Sequence, residues 1–372
     1  MIAADQARQR PADARLLHLD ANGRVHHLPR TAFVDALRPG DLVIANDAAT
    51  LPASLAGTHE ASGAAIEVRL AGRSSLAADQ VSEFSAIVFG TGDFRTRTED
   101  RPAPPTLHRG DRFRLGPLCA SVQALLGHPR LVSLRFEGSA DAIWAGLAQH
   151  GHPIQYAHLA EPLALWDVWT PIAAEPVAFE PPSAGFTLDW QSLAAMRARD
   201  IGFATLTHAA GISSTGDPRL DHCLPFDEPY RIPLATLQAI EAARARGGRI
   251  VAIGTTVVRA LEHSASRREG LQAGEAIARQ RLGPASRLRI VDAILSGTHE
   301  PGSSHYELLR AFTDDASLRR ADEALEARGY RTHEFGDSVL IERRQGLRHA
   351  DSRPDAADAR APVAQGCACA LA

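Results

Sequence analysis

The stretch that decides the fold is GGRIVAIGTTVVRALE, residues 247–262. Its segment RIVAI, at 249–253, is a short and mostly apolar run with the length of a buried strand. Gly254 ends that run, and residues 256–266 then repeat apolar side chains at helical spacing. The stretch therefore predicts a strand, a tight turn and a helix, which is the unit from which parallel α/β sheets are built.

The turn Gly254-Thr255-Thr256 supplies the first candidate binding residues. Glycine lets the backbone approach a ligand, and threonine hydroxyls beside the free N–H groups of a helix start make an anion site. Arg259, one helical turn further on, is predicted to point at the same anion. An ordinary loop with a threonine cap explains the same residues, and the turn lacks the G-x-G-x-x-G of dinucleotide sites. Both interpretations stay open on the pattern alone.

Strands and helices alternate around this stretch, so the sequence predicts an α/β fold with a largely parallel sheet and flanking helices. Residues 55–135 differ: short alternating runs lie between Gly, Pro and Asp turns, which is typical of a small antiparallel β-barrel. We therefore expect a discontinuous α/β domain at 1–54 and 136–343 with an inserted barrel at 55–135. The Ala-, Asp- and Arg-rich segment 344–372 is predicted to be a disordered tail.

The composition excludes several classes of protein. The formal net charge is −4, which argues against a globally basic nucleic-acid binder. All 40 Lys+Arg residues are arginine, so lysine Schiff-base chemistry and a P-loop lysine are excluded. The 4 cysteines are too few and too scattered for a disulfide framework, and we expect a reducing compartment. The sequence shows no apolar segment typical of a secretory signal or a membrane span, so a cytoplasmic location is expected.

Several polar residues lie where the predicted strands end or where burial makes them costly. His208 follows a predicted strand at 203–207, at the sheet edge where open α/β folds bind ligands. It is a candidate acid/base or orienting residue, although a hydrogen-bonded loop histidine fits equally well. Asp292 is predicted to lie inside an apolar strand at 289–295, where a carboxylate needs a partner. His299 and His305 flank a Pro-Gly turn, but their spacing fits no standard metal site, and no metal is expected.

These segments, in this order, resemble the family of S-adenosylmethionine:tRNA ribosyltransferase-isomerases of queuosine biosynthesis. The resemblance runs almost the full length and rests on QRPADARLLHLD, LRPGDLVIAND, PPSAGF, GGRIVAIGTTVVRALE, IVDAIL and FGDSVLI. It implies an α/β domain with an inserted barrel. It also implies transfer of the ribosyl group of S-adenosylmethionine to the 7-aminomethyl-7-deazaguanine base of tRNA, followed by isomerisation to epoxyqueuosine. Adenine and methionine are released, and no metal is needed.

The resemblance also assigns expected roles to individual residues. The expected catalytic residues are His208, Asp47 and His299. S-adenosylmethionine, as co-substrate, is expected to contact Gly254, Thr255, Thr256, Arg259 and Asp292. tRNA is the expected partner, no membrane is involved, and the chain is expected to be a monomer or weak dimer.

Departures from the family motifs keep two alternatives open. Where the family has arginine, this sequence has Ala49 and Ser54, and where it has lysine, this sequence has Gly302. Because arginine and lysine are natural phosphate contacts, one alternative is a paralogue that uses S-adenosylmethionine or a related nucleoside on a substrate other than tRNA. The other is a non-catalytic nucleotide- or RNA-binding protein, because proteins that share a fold can differ in activity.

Overall fold

The computed structural model describes residues 1–344. The strands are β1 Ile2–Ala3, β2 Arg15–Leu19, β3 Val25–Pro29, β4 Leu42–Asn46, β5 Ala48–Thr50, β6 Ser54–His59, β7 Ala64–Gly72, β8 Glu83–Phe89, β9 Arg112–Leu115, β10 Leu118–His128, β11 Leu131–Phe136, β12 Glu175–Ala178, β13 Gly202–His208, β14 Glu228–Ile232, β15 Ile250–Ile253, β16 Gly274–Ala278, β17 Ala293–Gly297, β18 Arg331–Thr332 and β19 Ser338–Glu342. The α-helices are α1 Ala140–His150, α2 Leu165–Val168, α3 Trp190–Ala198, α4 Pro218–Asp221, α5 Leu234–Ala245, α6 Thr255–Ser266, α7 Ser304–Leu309 and α8 Asp315–Ala327. Short 3-10 helices span Arg30–Ala36, Thr98–Asp100 and Ser183–Thr187.

The main sheet has 9 strands in the order β16-β14-β13-β4-β15-β17-β19-β2-β3. Its centre, β13-β4-β15-β17, is parallel throughout, whereas β14, β16 and β3 pair antiparallel at the edges and β19 runs antiparallel to β17. The predicted parallel sheet is therefore confirmed for the centre, and the sheet as a whole is mixed. The carboxyl ends of the four central strands meet at one edge, which is where open α/β sheets bind ligands.

Successive side chains of the central strands point to opposite faces of the sheet and pack into two separate hydrophobic cores. In β15, Ile250 and Ala252 face a core that includes Val257 and Leu261 of α6. Val251 and Ile253 face the opposite core, which includes Met196 of α3. All four residues of β15 are at most 1% exposed, as expected for a strand covered by helices on both faces.

The second unit is a closed barrel in the order β10-β11-β8-β7-β6-β9, with every pairing antiparallel. Closure removes the unpaired strand edges that a six-stranded open sheet would expose. The predicted fold class, an α/β sheet with an antiparallel barrel, is confirmed. The domain boundaries at 54/55 and 135/136 stay a prediction, and the predicted tail lies, from residue 345 on, outside the described residues.

One predicted strand begins later than its apolar pattern indicates. The strand expected at 289–295 is observed at Ala293–Gly297. The Glu262 carboxylate accepts the backbone N–H groups of Arg289, Ile290 and Val291 at 2.6, 2.9 and 2.8 Å. Those N–H groups are therefore committed to a side chain rather than to a neighbouring strand. In residues 1–344 no helix is long and apolar enough to cross a membrane.

Candidate active site

A cleft opens at the carboxyl edge of the parallel strands. It is lined by the segments that follow β12, β13 and β15 and by the end of β17 with the segment that follows it. The polar side chains and glycines that line it are Glu180, Ser183, Gly211, Ser213, Glu228, Gly254, Thr255, Thr256, Arg259, Ser296, Gly297, His299, Ser304 and His305. Five of the predicted site residues, Gly254, Thr255, Thr256, Arg259 and His299, are thus brought together.

The turn after β15 presents its backbone to the cleft. Gly254 is the N-cap residue of α6, has φ of 90° and receives no side-chain cap, so the interpretation as a threonine-capped loop is wrong. A Cβ at Gly254 would lie 3.7 Å from the Cβ of Ala184, which leaves space but not a relaxed backbone. Thr256 Oγ1 accepts a hydrogen bond from Asn46 Nδ2 at 3.3 Å. The turn is therefore fixed by Asn46 of β4 and by the Gly254 N–H, which donates to the Leu295 carbonyl oxygen at 2.8 Å.

Arg259 lines the cleft, but its guanidinium is already engaged. It forms an ion pair with Glu228 and donates to the carbonyl oxygens of Phe226, Ala278 and Gln280 at 2.7, 2.8 and 3.1 Å. The side chain is 5% exposed. The prediction that Arg259 points at a ligand anion is corrected, because its donors hold the segments 226–228 and 278–280 against α6.

His208 lies beneath the cleft rather than in it. It is fully buried, and its backbone N–H and C=O both bond to the side chain of Asn46 at 2.9 Å. Nε2 lies 3.5 Å from Glu228 Oε2, and neither ring nitrogen has a hydrogen-bond partner within the described residues. Burial, with Arg259 adding to it, lowers the pKa of His208 far below its usual range, so the imidazole is neutral. The ring packs beside Glu228 and does not line the cleft.

Two predicted aspartates do not line the cleft. Asp47 Oδ1 accepts from Thr207 Oγ1 at 2.7 Å, and Asp47 is not among the residues that line the cleft. Asp292 precedes β17, at the amino end of the parallel strands, and its Oδ2 accepts the Ile250 N–H at 3.0 Å. The prediction of Asp292 as a ligand contact is therefore corrected: it aligns the starts of β15 and β17, at the opposite edge of the sheet. The predicted catalytic role of Asp47 stays a prediction, since Asp47 follows β4 at the carboxyl edge of the sheet without lining the cleft.

Glu180 is a candidate functional residue that no sequence motif singled out. Its Oε1 accepts hydrogen bonds from the Tyr156 hydroxyl and from the Ser213 backbone N–H, the latter at 3.1 Å. Burial raises the pKa of Glu180 to about 7, the two hydrogen bonds oppose the shift, and the charge of Glu334 adds to it. A carboxyl that titrates near neutral pH on the wall of a cleft is suited to proton transfer. In the sequence, Glu180 stands directly before PPSAGF. That position alone does not indicate a catalytic role.

His299 and His305 form a stacked pair on the cleft wall. Their ring centroids are 4.6 Å apart with planes at 12°, and Ser296 Oγ lies 2.9 Å from His299 Nε2. Burial lowers the pKa of His299 far below its usual range, and His305 adds to the effect. Both rings are therefore neutral at neutral pH and offer hydrogen bonds rather than charge.

A model of the queuosine biosynthesis protein family matches residues 1–341 of this chain. The chain belongs to the queuosine biosynthesis protein family. It is 31% identical to the S-adenosylmethionine:tRNA ribosyltransferase-isomerase of Trichlorobacter lovleyi, over 92% of this chain and 96% of that protein. The enzyme of the same name from Thiobacillus denitrificans is 31% identical, over 89% of this chain and 91% of that protein. An S-adenosylmethionine tRNA ribosyltransferase structure from Thermotoga maritima aligns with 21% identity, 91% and 96% coverage and a TM-score of 0.47.

In this member of the queuosine biosynthesis family, the conformation of Gly254 gives a testable requirement for glycine. Gly254→Ala is expected to lower the free energy of unfolding by about 1–2 kcal/mol, because a side chain at positive φ is strained. Gly72→Ala is the matched control, since Gly72 has no positive φ and a Cβ there would meet Ser85 only at ordinary contact distance. Urea unfolding of both variants checks the difference, and equal loss in the two would contradict the requirement.

Proposed function

We propose that this chain transfers the ribosyl group of S-adenosylmethionine to the 7-aminomethyl-7-deazaguanine base of tRNA and isomerises it to give epoxyqueuosine. The observation that carries the proposal is the match to the family over residues 1–341, with relatives of that name covered almost end to end. tRNA and S-adenosylmethionine are then the two substrates, and a cytoplasmic location follows from the place where tRNA is modified.

The cleft contains groups suited to that chemistry. The reaction requires a base for the C5′ proton beside the sulfonium, and Glu180 is our candidate because it lines the cleft and titrates near neutrality. The turn Gly254-Thr255-Thr256 offers hydroxyls and helix N–H groups to S-adenosylmethionine. His299, neutral and also lining the cleft, is proposed to hydrogen bond the adenine leaving group.

His208 is proposed as a positioning residue. It lies under the cleft between Asn46 and Glu228, and Glu228 Oε1 in turn accepts the Gly211 N–H at 2.6 Å. Gly211 lines the cleft, and its close approach to Glu228 requires glycine, because a Cβ there would lie 2.8 Å from Glu228 Oε1. The Glu228 carboxylate thus holds the wall at Gly211, and the His208 ring packs beside that carboxylate at 3.5 Å.

The deciding experiment is incubation of the protein with S-adenosylmethionine and tRNA that carries 7-aminomethyl-7-deazaguanine. Nuclease digestion and mass spectrometry are expected to show epoxyqueuosine, together with released adenine and methionine. The same mixture without S-adenosylmethionine is the control. Absence of the product under conditions where an authentic family enzyme makes it would refute the proposal.

The loss of phosphate-binding side chains at Ala49, Ser54 and Gly302 favours one second candidate, a paralogue acting on another acceptor. The two candidates differ in a simple observation. The paralogue binds S-adenosylmethionine in calorimetry and leaves the deazaguanine tRNA unmodified. A chain that binds neither S-adenosylmethionine nor tRNA would rule out both.

The hydroxyl of Thr256 gives a direct test of the S-adenosylmethionine site. Thr256→Val keeps the shape of the side chain and removes its hydroxyl, so the affinity for S-adenosylmethionine is expected to fall about 2- to 13-fold, the equivalent of one hydrogen bond. Thr106→Val is the matched control, because Thr106 is exposed and lies outside the cleft. Titration calorimetry measures both, and an unchanged affinity in Thr256→Val would place the ligand elsewhere.

A further inference from the structure

A column of parallel rings runs from the barrel to the surface beside the cleft. The Tyr156 and His158 rings have centroids 6.4 Å apart with planes at 11°, and His158 and His333 have centroids 4.2 Å apart with planes at 12°. At the inner end, the buried Arg69 guanidinium lies 5.6 Å from the centre of the Tyr156 ring. The column therefore has the Arg69 guanidinium at its inner end and the His333 ring at its outer end.

His333 presents its ring at the surface. It is the exposed member of the column, and within residues 1–344 the His158 ring is the one ring recorded against it. Its backbone has φ of 69°, a left-handed conformation that costs free energy in a residue other than glycine. The fold therefore holds the His333 side chain at the surface in a strained backbone conformation. One face of its ring packs on His158, and the other face is open to a stacking partner.

The column lies next to the cleft. Glu180 and Pro181 line both the cleft and a smaller adjoining cavity, and that cavity is also lined by Tyr156 and Glu334. Tyr156, at the inner end of the column, donates a hydrogen bond from its hydroxyl to Glu180 on the cleft wall. His333, at the outer end, lies close enough to His299 on the cleft wall to influence the titration of that ring, so a group stacked on the column lies beside the cleft.

The same residues resemble a metal site by composition, but their geometry favours stacking. Donor atoms of His158, His333 and Glu334 all lie within 4.8 Å of one another. Ligands bound to zinc at about 2.1 Å in a tetrahedron have donors about 3.4 Å apart, and their lone pairs converge on the ion. The two imidazoles instead lie parallel, so their lone pairs run side by side, and His158 Nε2 is bonded to Glu334 Oε2 at 3.2 Å.

The charges around His333 select the kind of flat group that fits. One face of the His333 ring is shielded from solvent by His158, and this burial lowers the pKa of His333, with the charge of His158 adding to the effect. Glu300 and Glu334 lie close enough to oppose the shift. Two carboxylates repel a phosphate and accept hydrogen bonds from amino groups. The surface therefore suits the face of an uncharged nucleobase and not the nucleic-acid backbone, and aromatic side chains are the platforms on which unpaired RNA bases stack.

We propose that His333 is the outer face of a stacking platform for an unpaired tRNA base that neighbours the base being modified. This role rests on the proposed function. It concerns a tRNA base that lies outside the cleft, next to the base that is modified. It adds a specificity-determining contact to the reaction, at a side chain that takes no part in proton transfer.

The test is the dissociation constant for deazaguanine tRNA, measured without turnover by omitting S-adenosylmethionine. His333→Asn removes the ring and keeps a residue that tolerates the left-handed conformation, so folding is preserved. Its tRNA affinity is expected to fall about 5- to 150-fold, the range for one base stacked on an aromatic ring. His333→Phe is expected to bind tRNA close to the wild-type level, and the affinity for S-adenosylmethionine stays unchanged in both.

His108→Asn is the matched control, because the His108 imidazole is 72% exposed on the barrel and belongs to no column. Equal tRNA affinity in His333→Asn and the wild type would overturn the platform. So would equal losses in His333→Asn and a folded His333→Phe, since the ring would then not be the deciding feature. Because binding is measured without turnover, a wild-type chain that binds tRNA but makes no epoxyqueuosine would refute the proposed reaction alone.

Discussion

Arg259→Met is expected to lower the free energy of unfolding by about 3–5 kcal/mol, the usual result of removing one member of a buried ion pair. The change leaves the Glu228 carboxylate without its charged partner at a side-chain exposure of 8%. It also removes the donors for three carbonyl oxygens, at Phe226, Ala278 and Gln280. Methionine preserves most of the stem, so the loss reports on the charge and its hydrogen bonds rather than on a cavity.

Arg135→Met is the matched control for that substitution. Arg135 pairs with Glu83 on the barrel, with side-chain exposures of 59% and 51%, and an exposed pair contributes about 0–1 kcal/mol. Urea unfolding of the two variants under the same conditions gives the comparison. If Arg259→Met lost no more stability than Arg135→Met, the guanidinium would not be the structural link between α6 and the segment before β14.

The positions of the strands could be predicted from the sequence because burial imposes a period on neighbouring residues. Ile250 to Ile253 are apolar since helices cover both faces of the central sheet. The barrel was predicted from alternation and turn residues, which are also local signals. The edge of the sheet where the cleft opens followed from the order of strands and helices, and with it the placement of Gly254 and Thr256.

The pairing of charged side chains could not be predicted, because it depends on segments distant in the chain. Arg259 meets Glu228 across 31 residues, and Glu262 takes backbone N–H groups 27 to 29 residues away. An apolar run such as RIVDAIL gives no sign that its first N–H groups are committed to a carboxylate. The pKa of Glu180 likewise depends on Tyr156 and Glu334, which come from other parts of the fold.

Glu180→Gln is expected to lower kcat by about 10²- to 10⁴-fold, the usual contribution of a general base. The amide keeps the size of the side chain and can still accept from Tyr156 and Ser213, so the affinity for S-adenosylmethionine is expected to stay close to the wild-type value. Single-turnover formation of epoxyqueuosine measures the rate, and calorimetry measures the affinity. Full activity in Glu180→Gln would exclude this carboxylate as the base.

The pH dependence provides an independent check on the same group, with a sign fixed by its surroundings. A base is active when deprotonated, so kcat of the wild type is expected to rise with pH up to the pKa of Glu180, about 7, and then to level off. The Tyr156 hydroxyl stabilises the carboxylate, and Tyr156→Phe therefore moves the rise to higher pH. The charge of Glu334 destabilises it, and Glu334→Gln moves the rise to lower pH. Shifts in the same direction for both variants would show that another group controls the rate, because only a carboxylate between these two neighbours responds to them with opposite signs.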